Sequence, residues 1–110
     1  MSSEEVQLEP PIRAMIDATN RGDVDAFLDA FADDAVLDDW GRKFAGRAAI
    51  AGWNERENIG VNSHIEATGV ERGSDGIRVG VSVSGDGYNG GGAMTFVLDG
   101  DRIARMVITG

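Results

Sequence analysis

Few side chains in this sequence carry acid–base or metal chemistry in a pattern that assembles a site. There is one histidine, His64, and no cysteine, so thiolate nucleophiles, disulfides and sites of several histidines or cysteines lie beyond a single chain. Carboxylates remain. Asp33-Asp34 and Asp38-Asp39 occur as pairs, but their spacing lacks the alternating oxygen ligands and the glycine of a calcium loop, so no metal is expected. Asp39 stands apart because it ends the apolar run Ala35-Val36-Leu37 and precedes Trp40. A strand-end carboxylate facing an apolar pocket is poorly hydrated and becomes a usable general base. The alternative is an Asp that caps the next turn in water. His64 is the other candidate proton carrier. Alternation along its run sets it with Glu66 and Thr68 on the solvent side. The stretch Gly85–Gly92 has the glycine content of a phosphate loop without its Lys-Ser/Thr ending or following helix, and reads as a hairpin connection carrying Tyr88.

Composition narrows the partners. The chain has 110 residues with a formal net charge of -9. That length suits one domain spanning residues 1–110, with a single core. Residues 1–39 hold 11 acidic and 2 basic side chains, whereas residues 40–110 hold 8 of each. Such a field opposes nucleic-acid phosphates and anionic lipid, so neither nucleic acid nor membrane is an expected partner. No apolar run approaches the ~20 residues of a membrane helix. The start, Met1-Ser2-Ser3-Glu4-Glu5, lacks the basic and apolar stretches of a signal peptide, and a cytoplasmic location is the expectation.

The elements that position these residues are helical first and strand-like later. Pro10 and Pro11 suit the opening turn of a helix, with Ile12, Met15, Ile16 and Thr19 at helical spacing and Gly22 as its left-handed end. Asp23 is the expected N-cap of a second short helix, whose stripe is Val24, Phe27, Leu28 and Phe31. A short strand over Ala35–Leu37 leads to Asp39. A third helix spans Arg47 to about Asn58, with Ile50 and Trp53 on its buried side. Beyond Gly60 the period becomes two. Ile77, Val79, Val81 and Val83 face one way, and Arg78, Gly80, Ser82 and Ser84 the other. Turns fall at 72–76 and 99–101, and strands at Ala93–Leu98 and Ile103–Thr109. Twelve of the 16 glycines lie from Gly60 onward, as a tightly turned sheet requires. The layout is α+β, with three helices packed on one face of an antiparallel sheet.

Two stretches carry a family resemblance: residues 21–39, from Arg21-Gly22-Asp23 to Leu37-Asp38-Asp39, and Phe44-Ala45-Gly46-Arg47-Ala48-Ala49-Ile50-Ala51-Gly52-Trp53. Both resemble the nuclear transport factor 2-like superfamily, and within it the SnoaL-like and ketosteroid isomerase branches. The resemblance implies a conical α+β fold with a curved sheet enclosing an apolar pocket, pairing into homodimers through the outer sheet face, and no cofactor. Asp39 matches the position of the isomerase base. The family's oxyanion Tyr falls at Met15, its supporting tyrosines at Phe31 and Asn54, and its protonated Asp near Met94. Losing one such donor costs about 2.7–4 kcal/mol of transition-state stabilisation, so ketosteroid isomerisation itself is not expected. An Asp-Arg-Asp hydrolytic set is not expected either, because Arg78 and Arg105 fall on outward faces. The remaining expectation is a pocket for an apolar small molecule, lined by Met15, Trp40, Trp53, Met94 and Met106, with Asn54 bonding a ligand oxygen and Asp39 taking a proton beside a carbonyl. Its alternative is a non-catalytic ligand-binding or dimerisation module.

Overall fold

The computed structural model describes residues 6–110; residues 1–5, on which the signal-peptide reading rests, lie outside the described residues. Helix α1 (Pro10–Arg21) opens on its two prolines, whose missing N–H groups cost nothing there. It ends where Gly22 turns left-handed at φ 72°. The N–H of Asp23 then reaches back to the Ala18 carbonyl, and that of Gly22 to Thr19, which closes the last turn. The Asp23 carboxylate accepts from the Ala26 N–H at 3.0 Å and starts α2 (Val24–Asp29).

Helix α2 is shorter than its apolar stripe suggests. Phe31 leaves the helix and begins strand β1 (Phe31–Asp39), so the strand is longer than the Ala35–Leu37 run expected from sequence. The reason is tertiary. The Ala30 carbonyl accepts from the Ile103 N–H at 2.8 Å, and Phe31 pairs with Ile103, which pulls the chain into the sheet. Val24, counted on the buried stripe, is 45% exposed. A further strand, β2 (Arg42–Ala45), follows the Trp40-Gly41 turn and precedes α3 (Arg47–Glu57) and a 3-10 turn (Ile59–Val61). Strands β3 (His64–Gly73), β4 (Gly76–Ser84), β5 (Gly90–Asp99) and β6 (Arg102–Thr109) complete the chain.

The six strands form one sheet in the order β2-β1-β6-β5-β4-β3. All neighbours are antiparallel except β1 and β6, which run parallel, so the expected antiparallel sheet is mixed at one seam. The parallel seam sets Asp39 beside Ile108 and places the β1–β2 turn next to the end of β6. Edge strand β3 is covered by α1, where the Asn20 amide both donates to the Ile65 carbonyl and accepts from its N–H.

Between helices and sheet lies the core, with Ile12, Met15, Ile16, Phe27, Phe31, Leu37, Ile50, Ile103 and Met106 at most 1% exposed. Its aromatic centre is Phe27, tilted on Phe31 at 5.1 Å and stacked on Trp53 at 6.4 Å between ring centroids. Helix α3 is steered from its first turn by Arg47, whose Nε and Nη2 both donate to the Phe31 carbonyl.

Past α3 the chain turns back so closely that a Cβ on Gly60 would collide with the Glu55 carbonyl. Gly60→Ala is therefore expected to destabilise the protein by about 3 kcal/mol, read as a lower urea midpoint. An unchanged midpoint would show that the turn relaxes freely.

Candidate functional site

The site begins at the end of β1. A two-residue turn, Trp40-Gly41, joins β1 to β2 with φ 54° and 90°, the positive values that the type I′ hairpin needs. The Asp38 carboxylate accepts from the Gly41 N–H at 2.7 Å and fixes the turn. As a result Asp39 and Arg42 are cross-strand partners.

Asp39 is 8% exposed, yet it is not an unpaired carboxylate in an apolar wall. Its Oδ2 accepts from Arg42 Nη2 at 2.5 Å and from the Trp53 indole N–H at 3.0 Å. Both are strong, well-aimed donors to the ionised form. Oδ1 accepts from none of the described residues, and no buried side-chain polar atom among them is sealed off without a partner, so Oδ1 keeps access to open space. The Arg42 fork also clasps Glu57 on α3, with Nη2 to Oε1 at 2.6 Å and Nη1 to Oε2 at 2.9 Å. These hydrogen bonds hold the Glu57 carboxyl below its ordinary 4.5, against a smaller opposing effect of burial. They also strengthen the hold of Arg42 on its proton.

Asp39 forms part of the wall of a cavity of about 270 Å³ between α3 and the sheet. Its apolar lining comes from Trp53, Ile65, Val81, Val83, Met94 and Ile108. Asn58, Ser63 and Thr109 add polar atoms, and Trp40 and Tyr88 stand at the rim, 66% and 57% exposed. The volume is near the lower end of the ~300–1,000 Å³ range for small-molecule sites.

Of the residues expected to form a pocket, Asp39, Trp40, Trp53 and Met94 share this cavity, and Met15, Asn54 and Met106 do not. Met15 and Met106 point into the core and are at most 1% exposed. Asn54, also 1% exposed, is consumed by structure. Its Oδ1 accepts from Asn58 Nδ2 at 3.0 Å and from the Ile59 N–H at 3.3 Å, closing the end of α3. Asn58 Nδ2 also donates to Thr19 Oγ1, whose hydroxyl reaches Met15 Sδ, so a buried polar chain crosses from α3 to α1. His64 is exposed, as alternation predicts.

Arg42, Glu57 and Ser63 are the functional candidates that the sequence reading passed over. Ser63 is 6% exposed, lines the cavity, and its hydroxyl has no hydrogen-bond partner among the described residues. The signal for Arg42 was the Trp-Gly turn, which sets residues 39 and 42 opposite each other; an aromatic in a turn position obscures it. Among the described residues no group of three or more His, Cys, Asp or Glu side chains could hold a metal. No described helix is long and apolar enough to cross a membrane.

Helices folded over a curved sheet, with a cavity opening at one end, define the nuclear transport factor 2-like class of α+β proteins. The chain belongs to the SnoaL-like domain family, whose pattern matches residues 12–106. Among curated proteins none matches it. A solved structure of a proposed polyketide cyclase from Sinorhizobium meliloti is similar, at 28% identity over 93% of this chain and 95% of that one, with a TM-score of 0.80. The Orange Carotenoid Protein of Anabaena (Nostoc), solved binding canthaxanthin, aligns at 21% identity and TM-score 0.77, over 96% of this chain and 37% of that one. RV0760c of Mycobacterium tuberculosis, solved with estradiol-17beta-hemisuccinate, aligns at 16% identity and TM-score 0.79, over 92% and 93%.

Because the folded-state carboxyl of Glu57 is depressed, its contribution to stability is present above pH 4.5 and lost as the pH falls through the lower folded value. The stability advantage of wild type over Glu57→Gln, measured by urea unfolding, is expected to be present at neutral pH and to shrink below pH 4.5. A constant gap through that acid range would exclude the ion pair as its source.

Proposed function

We propose that the chain is a single-domain pocket protein for an apolar cyclic carbonyl compound, acting as a cofactor-independent isomerase or cyclase with Asp39 as general base. The observation that carries this reading is Asp39: a carboxylate lining a mostly apolar cavity, whose Oδ1 accepts from no donor among the described residues. Arg42 and the Trp53 N–H hold the other oxygen, which fixes the carboxylate's orientation. Trp40, Trp53 and Met94 would contact the ring system. The Ser63 hydroxyl lines the cavity and is one group available to hydrogen-bond the carbonyl oxygen, the role expected of Asn54 from sequence. A proton taken from the carbon beside that carbonyl would pass to Oδ1 and return at a second carbon. The ligands of RV0760c and of the Orange Carotenoid Protein, both largely apolar, support a cavity of this kind. The polyketide-cyclase neighbour supports carbonyl chemistry.

A second reading, a non-catalytic binding module, is favoured by one observation. The N–H donors of Arg42, Trp53 and Asn58 at the cavity already point at protein acceptors, leaving few to stabilise an oxyanion. Proton exchange separates the two. With 2-tetralone in D2O, wild type is expected to accelerate deuterium uptake at the carbons beside the carbonyl, and Asp39→Asn to lower that acceleration about 100-fold or more. Full exchange by Asp39→Asn would sink the base assignment, and binding without exchange by wild type would select the non-catalytic module.

The reading extends to a cytoplasmic homodimer that engages neither nucleic acid nor membrane. Support for pairing comes from the outer sheet face, where Val97, 41% exposed, shares a side with Thr95 and Val107. Val97→Asp is expected to shift wild-type dimer toward monomer in sedimentation equilibrium; a wild-type monomer would refute the pairing.

A further inference from the structure

Val24, Trp40, Tyr88 and Val97 are the exposed large apolar side chains among the described residues. Two of them, Trp40 and Tyr88, come from separate turns and line the same cavity. The hairpin itself does not call for the indole. Trp40 occupies the first central position of a tight hairpin at φ 54°, where Asn, Asp or Gly is favoured and a bulky residue is strained. Two-thirds of its surface stays in water, so burial does not offset that strain.

Bare backbone supports both rings. A Cβ on Gly110 would come within 2.7 Å of Trp40 Cη2, so the indole lies against the chain just past β6. The Tyr88 hydroxyl donates to the Gly91 carbonyl at 2.7 Å, and a Cβ on Gly90 would approach that hydroxyl to 3.0 Å. The phenol therefore lies over the start of β5. Strands β5 and β6 are paired neighbours, with Ala93 opposite Thr109, about 4.8 Å apart in an ordinary sheet. Two aromatic rings thus rest on the ends of adjacent strands. Gly91 and Gly92, which also line the cavity, present no side chains between them.

We propose that Trp40, Tyr88 and the backbone of Gly91 and Gly92 form a subsite for a flat conjugated ring. The ligand is then a compound of two or more rings, one end in the cavity and a planar ring at the rim. This rests on the reading of the cavity as a small-molecule site and names the ligand class. A flat ring can stack on indole and phenol faces, and it approaches a glycine backbone more closely than a puckered saturated ring does. The strain at Trp40 is retained because the ring acts on the ligand and not on the fold.

Calorimetric titration with 4-phenylphenol and 4-cyclohexylphenol tests this, because the two share a phenol and differ in whether the second ring is flat. Wild type is expected to bind 4-phenylphenol about tenfold more tightly, although the saturated ring offers at least as much apolar surface. Trp40→Asn and Tyr88→Leu are each expected to weaken 4-phenylphenol roughly five- to tenfold and 4-cyclohexylphenol by a clearly smaller factor, since only the flat ring loses a stacking partner. Trp40→Asn suits the turn, so its urea midpoint should equal or exceed that of wild type. Equal wild-type affinities, or equal losses for both compounds in the variants, would overturn the flat-ring subsite and leave the cavity reading standing. Binding of neither compound would overturn the cavity reading and this inference with it.

Discussion

The carboxylate of Asp39 ties the end of β1 to β2 through Arg42 and to α3 through the Trp53 indole. Arg42 extends the tie to Glu57 near the end of α3, so one guanidinium and one carboxylate fasten both ends of the segment between them. The wall of the cavity depends on that fastening. Trp53 is in turn fixed by its stack on Phe27, which links the node to the aromatic centre of the core. A charged group this buried is tolerable because its Oδ2 is doubly satisfied while Oδ1 keeps access to open space.

The parallel seam between β1 and β6 decides where the node sits. Pairing of Asp39 with Ile108, and of the Trp40 N–H with the Ile108 carbonyl at 3.2 Å, carries the β1–β2 turn to the C-terminal end of the sheet. The β4–β5 connection arrives at the same end, because β5 is the other neighbour of β6. Turns distant in sequence therefore share one rim. Polar groups on the helix side are committed to the fold, as in the Asn54–Asn58–Thr19 chain, whereas Asp39 Oδ1 and the Ser63 hydroxyl are among the cavity groups left free.

Much of the fold was legible because local chemistry and tertiary structure agree. Gly22 and Asp23 end one helix and cap the next, Arg47 to Glu57 forms the third helix, and β4 shows its burial period directly. Where they disagree, pattern misled. Phe31 continues a helical stripe and yet starts a strand, because Ile103, 72 positions away in sequence, supplies its partner. Strand β2 was missed because Trp40-Gly41 does not look like a hairpin turn. Met15, Asn54 and Met106 are pocket residues only by the family resemblance, and each is buried away from the cavity.

What the sequence by itself determined is the three helices and most of the strands, the family, and the standing of Asp39 as the carboxylate at the end of an apolar strand. These follow from residue type at short range: caps, turn glycines and hydrophobic period. Only the tertiary structure decided which oxygen of Asp39 is free, that Arg42 and Trp53 hold the other, that Ser63 faces the cavity, and that Trp40 and Tyr88 share its rim. Each of those facts depends on strand register and helix packing between distant segments. A one-residue slip in the register of β1 would by itself turn Asp39 to the other face of the sheet.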